Sequence, residues 1–271
     1  MPVVLRRDID LPRSGRRVIL VTLNRPAKLN CFNKELCYLL AQIFHDIAGE
    51  AEKDDVAAVI LAGEGSSFCA GADLSGPPNP LSQSSDLPHH LKNNPVHQMG
   101  KVTVPVIGAV SGHCITGGFE LALACDLLVG DKTTSFRDTH VKFGLAPCWG
   151  LSQRLQRRVG QGRASLASYT ARRIDTNTAA QWGLLDDVAP EGKSALEKAL
   201  EVADEIGLND ATMVVRYKRA LRDGGEMDLA QGLIRERQLG IAHYLETVGD
   251  GRTFEGAKEY IKDETRLRSK L

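Results

Sequence analysis

The chain has 271 residues, of which 34 are Lys or Arg and 34 are Asp or Glu, so its formal net charge is zero. That balance excludes the strongly basic character of a general nucleic-acid or membrane-surface binder. A hydrophobic content of 42% with 25% charged residues fits one large soluble globular domain, or one domain with a helical appendage.

No apolar run approaches the roughly 18 residues of a membrane-spanning helix. Arg6, Arg7 and Asp8 near the start are followed by no apolar core of a secretory signal. The cysteines Cys31, Cys37, Cys69, Cys114, Cys125 and Cys148 form no C-x-x-C pair, and several lie in apolar runs. They read as free, mostly buried thiols of a reducing compartment. No His/Cys group has zinc-ligand spacing, so no metal is expected.

Val18 to Leu23 is a β-branched run closed by Asn24-Arg25-Pro26, a strand entering a loop. Asn33 is placed to cap a helix on which Leu36, Leu39, Leu40, Ile43 and Ile47 form one apolar stripe. Val56 to Ala62 is nearly unbroken apolar sequence, a strand buried on both faces. The G-x-G of Gly63 and Gly65 lacks the third glycine of a dinucleotide fingerprint. In Phe68 to Leu74 small residues cluster, which lets a ligand approach the backbone or makes a tight packing turn. Gly76 to Asn94 reads as a mobile polar loop, and His89, His90 and His97 in or near it read as solvated side chains. Val102 to Val110 is a strand with Pro105 near its start.

The next stretch, Ser111 to Asp126, organises the reading. Gly117 and Gly118 open a helix apolar almost all round, so it should be buried. Glu120 nevertheless sits in its first turn. A buried carboxylate is costly unless paired or protonated, and placement at a helix N-terminus offsets only about 0.3–1 kcal/mol of that cost when exposed. Glu120 is therefore either a cap for its own helix or a catalytic carboxyl beside backbone N–H groups able to hold an oxyanion. No Lys follows the glycine pair as in a phosphate loop, and no G-x-S-x-G elbow occurs. Short strands follow at Leu127 to Val129 and Thr134 to Phe136. The run Arg137 to Gly150 mixes titratable and bulky apolar residues as a pocket wall does. Helices are expected over Leu151 to Val159, Arg163 to Ala171, Thr178 to Trp182, Lys193 to Glu205, Ala211 to Arg222, Asp228 to Glu246 and Phe254 to Lys262. A strand-rich front and a helix-rich back suggest an α/β core with a helical tail.

L-N-R-P-A-K-L-N, S-F-C-A-G-A-D-L, P-V-I-G-A-V-S-G-H, G-G-F-E-L-A-L-A-C-D, F-G-L-A-P-C-W-G-L-S-Q-R-L and A-A-Q-W-G-L-L-D-D-V occur in that order. Together they resemble the enoyl-CoA hydratase/isomerase (crotonase) superfamily, from about Val18 to Val188. The resemblance implies an α/β spiral of ββα turns over residues 1–192 and a C-terminal helical trimerisation region over 193–271. It also implies homotrimers or hexamers, and an acyl-CoA thioester as substrate with no other cofactor. The oxyanion hole would be the N–H groups of Ala72 and Gly117. The CoA groove would be lined by the backbone near Lys28, Leu29, Ala70, Asp73 and Leu74.

Hydratases of this family use two glutamates around a water. Glu120 matches the first, and the second falls at His140. A histidine can act as a general base near neutral pH, so a Glu120/His140 pair could hydrate; alternatively His140 shapes the pocket wall. Asp138 would share a face with His140 if that segment were a strand; it reads rather as a loop or cap residue. Trp149, Phe119 and Leu145 are candidates for an acyl pocket or plain core.

The resemblance implies a hydratase acting on 2-enoyl-CoA. The alternatives are a 3,2-enoyl-CoA isomerase, which needs only one carboxyl, or a catalytically weak acyl-CoA-binding subunit. The chain ends in Ser269-Lys270-Leu271, the pattern read by the peroxisomal import receptor, so a peroxisomal location is expected.

Overall fold

A β-branched run followed by a capped amphipathic helix starts the architecture. In the computed structural model, which describes residues 1–50, 55–75 and 91–247, β1 (Val4–Asp10) pairs antiparallel with β2 (Arg17–Leu23). A short 3-10 turn at Pro26–Lys28 leads to α1 (Lys34–Glu50), whose start is capped as expected: Leu36 N donates to Asn33 Oδ1 at 3.0 Å. Next come β3 (Val56–Gly63), β4 (Ser67–Cys69), α2 (Pro95–Met99), β5 (Val106–Val110), β6 (His113–Ile115) and α3 (Gly117–Leu123). They are followed by β7 (Leu127–Gly130), β8 (Ser135–Arg137), α4 (His140–Phe143), α5 (Leu151–Val159) and α6 (Gln161–Thr170). The order closes with β9 (Ile174–Asp175), α7 (Thr176–Trp182), β10 (Asp187–Val188), α8 (Ala195–Gly207), α9 (Ala211–Gly225) and α10 (Leu229–Thr247).

Two sheets result, one of order β1-β2-β3-β5-β7-β10 and one of order β4-β6-β8-β9. Consecutive strands alternate between them: β3 and β4, β5 and β6, β7 and β8. Each pair with its helix is one ββα turn, and successive turns stack in parallel register. This is the expected spiral. The inner strands of the larger sheet, β2, β3, β5 and β7, are buried on both faces, as the unbroken apolar run of β3 requires. Val59 and Leu61 join Ile19, Val21 and Phe119 in one core. Ala58, Ile60 and Ala62 face the other way with Ala195, Ala199 and Ala203 of α8. Fully burying a Leu or Ile side chain contributes about 1.5–3 kcal/mol, so this double burial fixes the frame that carries the site.

Some expectations change. The strand expected from Val102 begins only at Val106, because Pro105 has no N–H for the ladder. His97 belongs to α2, whose N-cap Asn94 accepts through its side chain from His97 N at 3.2 Å, and the residue is exposed, in keeping with a solvated side chain. His89, His90, the helix expected at Phe254 to Lys262 and the Ser269-Lys270-Leu271 end lie outside the described residues. Cys37, Cys69, Cys114 and Cys125 are buried. Burial pushes the Cys37 and Cys69 thiols up to about 12, which makes them unreactive packing groups.

The chain divides into two compact units, Met1–Val215 and Arg216–Leu271. In the second, Asp223 accepts from Arg235 Nε at 2.9 Å and Nη2 at 2.8 Å, and Arg216 pairs with Glu246. Tyr217, Leu221, Leu229, Leu233, Ile234, Ile241, Tyr244 and Leu245 of this unit are exposed. Among the described residues no helix is long and apolar enough to cross a membrane, and no group of three or more His, Cys, Asp or Glu side chains is placed to hold a metal.

Candidate active site

The turn from β6 into α3 is conformationally costly. Thr116, the residue before the helix, adopts φ 51° and ψ −108°, a region that costs a non-glycine residue about 1–3 kcal/mol. Neighbouring hydrogen bonds hold it there. Thr116 N donates to Arg137 O at 2.8 Å, Thr139 N donates to Thr116 Oγ1 at 3.2 Å, and the two threonine hydroxyls are bonded to each other. The strain brings the first turn of α3 close to two other segments. A side chain on Gly118 would overlap Cys69 O, and one on Gly117 would overlap the Phe32 ring. Only glycine fits at either position.

Phe32 also sets the opposite wall. Its N–H donates to Gly71 O at 2.9 Å and its carbonyl accepts from Asp73 N at 3.0 Å. The residue between, Ala72, therefore turns its own N–H away from Phe32, as in a parallel bridge. Gly71 (φ 94°) lies against the helix start: an added Cβ would stand 3.0 Å from Ile115 O and 3.7 Å from Gly117 N. Among the described residues neither Ala72 N nor Gly117 N donates to another protein group. Two uncommitted backbone donors thus end on adjoining segments.

One helical turn beyond Gly117, Glu120 is only 3% exposed. Its two oxygens have different environments. Oε1 accepts from Trp149 N at 2.8 Å and from Leu151 N at a longer 3.3 Å. Oε2 lies 3.9 Å from His140 Nε2. Burial pushes the Glu120 carboxyl up; the Trp149 and Leu151 amides and His140 pull it back in part, and Asp138 adds to the rise. The net direction is upward, so burial favours the protonated form of this carboxyl. With Oε1 held by two donors, Oε2 is the oxygen open to a proton.

His140 opens α4 and is buried, and its Nδ1 lies 2.7 Å from Asp138 Oδ1. Asp138 does not lie on a strand with His140, since β8 ends at Arg137. A turn, not strand alternation, brings the two together. Asp138 is the loop residue the sequence suggests, and it bonds His140 N at 3.1 Å as a cap would. The bond to the ring is what the sequence reading missed; D-x-H at the end of a short strand was its only signal.

The segments expected along the CoA groove share one surface. Ala70 N donates to Leu29 O at 3.0 Å, tying the Lys28–Leu29 turn to the 70–74 loop. Leu29 and Leu74 expose their side chains. The Asp73 carboxylate is engaged by Ser75 and by Arg25 Nη2 at 2.8 Å, and these bonds hold it well below the usual carboxylate range. Arg25, whose other guanidinium nitrogen bonds Cys31 O, clamps the two loops together and was not singled out from sequence. Of the acyl-pocket candidates, Trp149 is buried with its ring 4.9 Å from that of Phe32. Phe119 is core, its ring tilted against that of Phe136 with centroids 5.0 Å apart, and Leu145 is exposed.

Known proteins resemble this chain over most of its length. The profile of the family described as "Enoyl-CoA hydratase/isomerase" matches residues 13–262. The chain is 37% identical over 236 residues to "Probable enoyl-CoA hydratase 1, peroxisomal" of Arabidopsis thaliana, covering 87% of this chain and 86% of that protein. It is 34% identical to "2,3-dehydroadipyl-CoA hydratase" of Escherichia coli K12, over 83% of this chain and 86% of the relative. The crystal structure of an enoyl-CoA hydratase from Bacillus anthracis superposes with a TM-score of 0.80 at 30% identity, covering 96% of each chain. The spiral and the matched length together establish that the chain belongs to the enoyl-CoA hydratase/isomerase family.

Proposed function

We propose that the protein is an enoyl-CoA hydratase that adds water across the 2,3 double bond of an enoyl-CoA thioester. The observation that carries this reading is the 3.9 Å separation of Glu120 Oε2 and His140 Nε2 beside two uncommitted amides. A separation of 3.9 Å is too long for a direct hydrogen bond, but a water about 2.8 Å from both atoms fits at the apex above it.

His140 Nε2 takes a proton from that water as its oxygen bonds to C3. The double-bond electrons move toward the thioester, and the oxygen that becomes the enolate is held by Ala72 N–H and Gly117 N–H. Glu120 Oε2 then gives its proton to C2, and the proton on His140 returns the pair to its starting state. The sum is one water added. General acid–base help of this kind contributes about 10²–10⁴-fold, and losing one oxyanion donor typically costs about 10²–10³-fold. Lys28, Leu29, Ala70, Asp73 and Leu74 line the CoA groove in this reading. Asp73 acts there by fixing the loop through Arg25, which leaves its carboxylate no part in the chemistry.

Two groups on either side of one water suit hydration better than isomerisation, which needs a single carboxyl to carry a proton between carbons. Incubation with 2-enoyl-CoA and 3-enoyl-CoA of matched chain length separates the readings. Hydration of the 2-enoyl ester is expected to dominate. Conversion of the 3-enoyl ester to the 2-enoyl ester without hydration would make the protein an isomerase. Tight binding with no turnover of either would make it an acyl-CoA-binding subunit.

The assembly proposed is a homotrimer or a hexamer, supported by the apolar side chains exposed on the second unit, Leu229, Leu233 and Ile234 among them. Peroxisomal import through Ser269-Lys270-Leu271 is supported by the peroxisomal designation of the Arabidopsis relative. Sedimentation is expected to give three or six copies, and removal of Leu271 to leave a fluorescent fusion in the cytosol. A monomer, or unchanged import, would remove the corresponding proposal.

A further inference from the structure

Three donors converge on the Asp138 carboxylate. Oδ1 accepts from His140 N at 3.1 Å and lies 2.7 Å from His140 Nδ1, and the Ser168 hydroxyl supplies a third bond. Asp138 is 2% exposed and His140 6%, so bulk water does not compete for these bonds. Burial alone would raise the Asp138 carboxyl, but the His140 and Ser168 bonds outweigh it and leave the group below its ordinary range. An ionised carboxylate only accepts. The hydrogen between Oδ1 and Nδ1 therefore belongs to the imidazole. A neutral ring with its proton on Nδ1 keeps its lone pair on Nε2, the nitrogen 3.9 Å from Glu120 Oε2.

We infer that Asp138 is a positioning residue that locks His140 in the Nδ1–H tautomer, aims the Nε2 lone pair toward Glu120, and stabilises the imidazolium formed when Nε2 takes a proton. A purely structural role explains the bond to the His140 backbone, which any turn-forming carboxylate could accept. It does not explain why the same oxygen also meets the ring. The inference rests on the proposed role of His140 as base and adds what makes that role possible: without an acceptor at Nδ1 the ring is free to rotate or to carry its proton on the wrong nitrogen. In the standard two-carboxylate arrangement that the resemblance implies, no such partner is needed, because a carboxylate has no tautomer to fix.

Both bonds end on Oδ1, so Asp138→Asn can keep them with its amide oxygen and lose only the charge, whereas Asp138→Ala loses the anchor. The experiment measures kcat and KM on 2-enoyl-CoA and records ¹⁵N spectra of imidazole-labelled full-length protein, with the His140 signals identified by their loss in His140→Gln. The parent and Asp138→Asn are expected to show the Nδ1–H tautomer, with kcat about tenfold lower for Asn. Asp138→Ala is expected to lose that tautomer and to fall about 10²–10³-fold in kcat, while KM stays within about threefold. A proton on Nε2 in the parent overturns the inference. So does Asp138→Ala with the parent's kcat. Should Asp138→Ala fail to fold, the spectra of the parent and of Asp138→Asn still decide. Full hydration by His140→Gln would instead remove the base itself, an outcome the tautomer spectrum reads separately.

Discussion

Glu120→Gln is expected to lower kcat for hydration by about 10³-fold or more, within the span general acid–base groups supply, while the protein stays folded. The amide oxygen can occupy the place of Oε1 and keep the bonds from Trp149 N and Leu151 N. The amide nitrogen then faces His140 Nε2. It lies too far from that ring nitrogen for a direct hydrogen bond, and it has no proton to release to C2. The substitution thus removes the acid and leaves the base in place. Stability should hold or rise, because burial already works against the charged carboxyl at this position and an amide removes that penalty. Steady-state kinetics with thermal unfolding alongside check both statements. Glu120→Gln turning over within threefold of the parent would end the case for Glu120 as the proton donor.

The same carboxyl explains what the sequence could and could not reveal. Glu120 stands out because a charged residue in an apolar helix contradicts its surroundings, and such contradictions concentrate at functional sites. The frame was readable for a related reason. β2, β3 and α1 are long enough to show their periods, and α1 has Asn33 at its cap. The smaller sheet was not readable as a sheet. β4, β6 and β8 are three residues each, too short to display alternation, and they exist because the larger sheet positions them. β1 was hidden by Arg6, Arg7, Asp8 and Asp10, which an edge strand with one wet face tolerates. In the site, the free amide of Ala72 depends on its bridge to Phe32, and the base depends on Asp138 folding back from the end of β8. Both are consequences of tertiary geometry between segments whose local patterns carry no trace of it.

Gly117→Ala is expected to damage stability and rate together. The new Cβ would overlap the Phe32 ring. That ring cannot retreat cheaply, because Trp149 backs it at 4.9 Å and both side chains are buried. Overpacking of this kind typically costs about 1–3 kcal/mol. Phe32 also fixes Gly71 and Asp73 through its own N–H and carbonyl and so aims the Ala72 amide. Trp149 N holds Glu120 Oε1. A shift of Phe32 therefore moves one oxyanion donor directly and disturbs the acid through its stacked neighbour, while the substitution displaces the other donor at its source. The expected loss in kcat is about 10²–10³-fold, the size attached to one misplaced donor. A steric cause predicts a partner: Phe32→Leu in the same chain makes room for the methyl. In a double-mutant cycle the pair should be less destabilised than the sum of the single changes and should regain part of the rate. Denaturant unfolding and kcat measured on the four proteins provide the comparison. Strict additivity, or Gly117→Ala at the parent's rate, would mean that Phe32 does not transmit the position of one amide to the other.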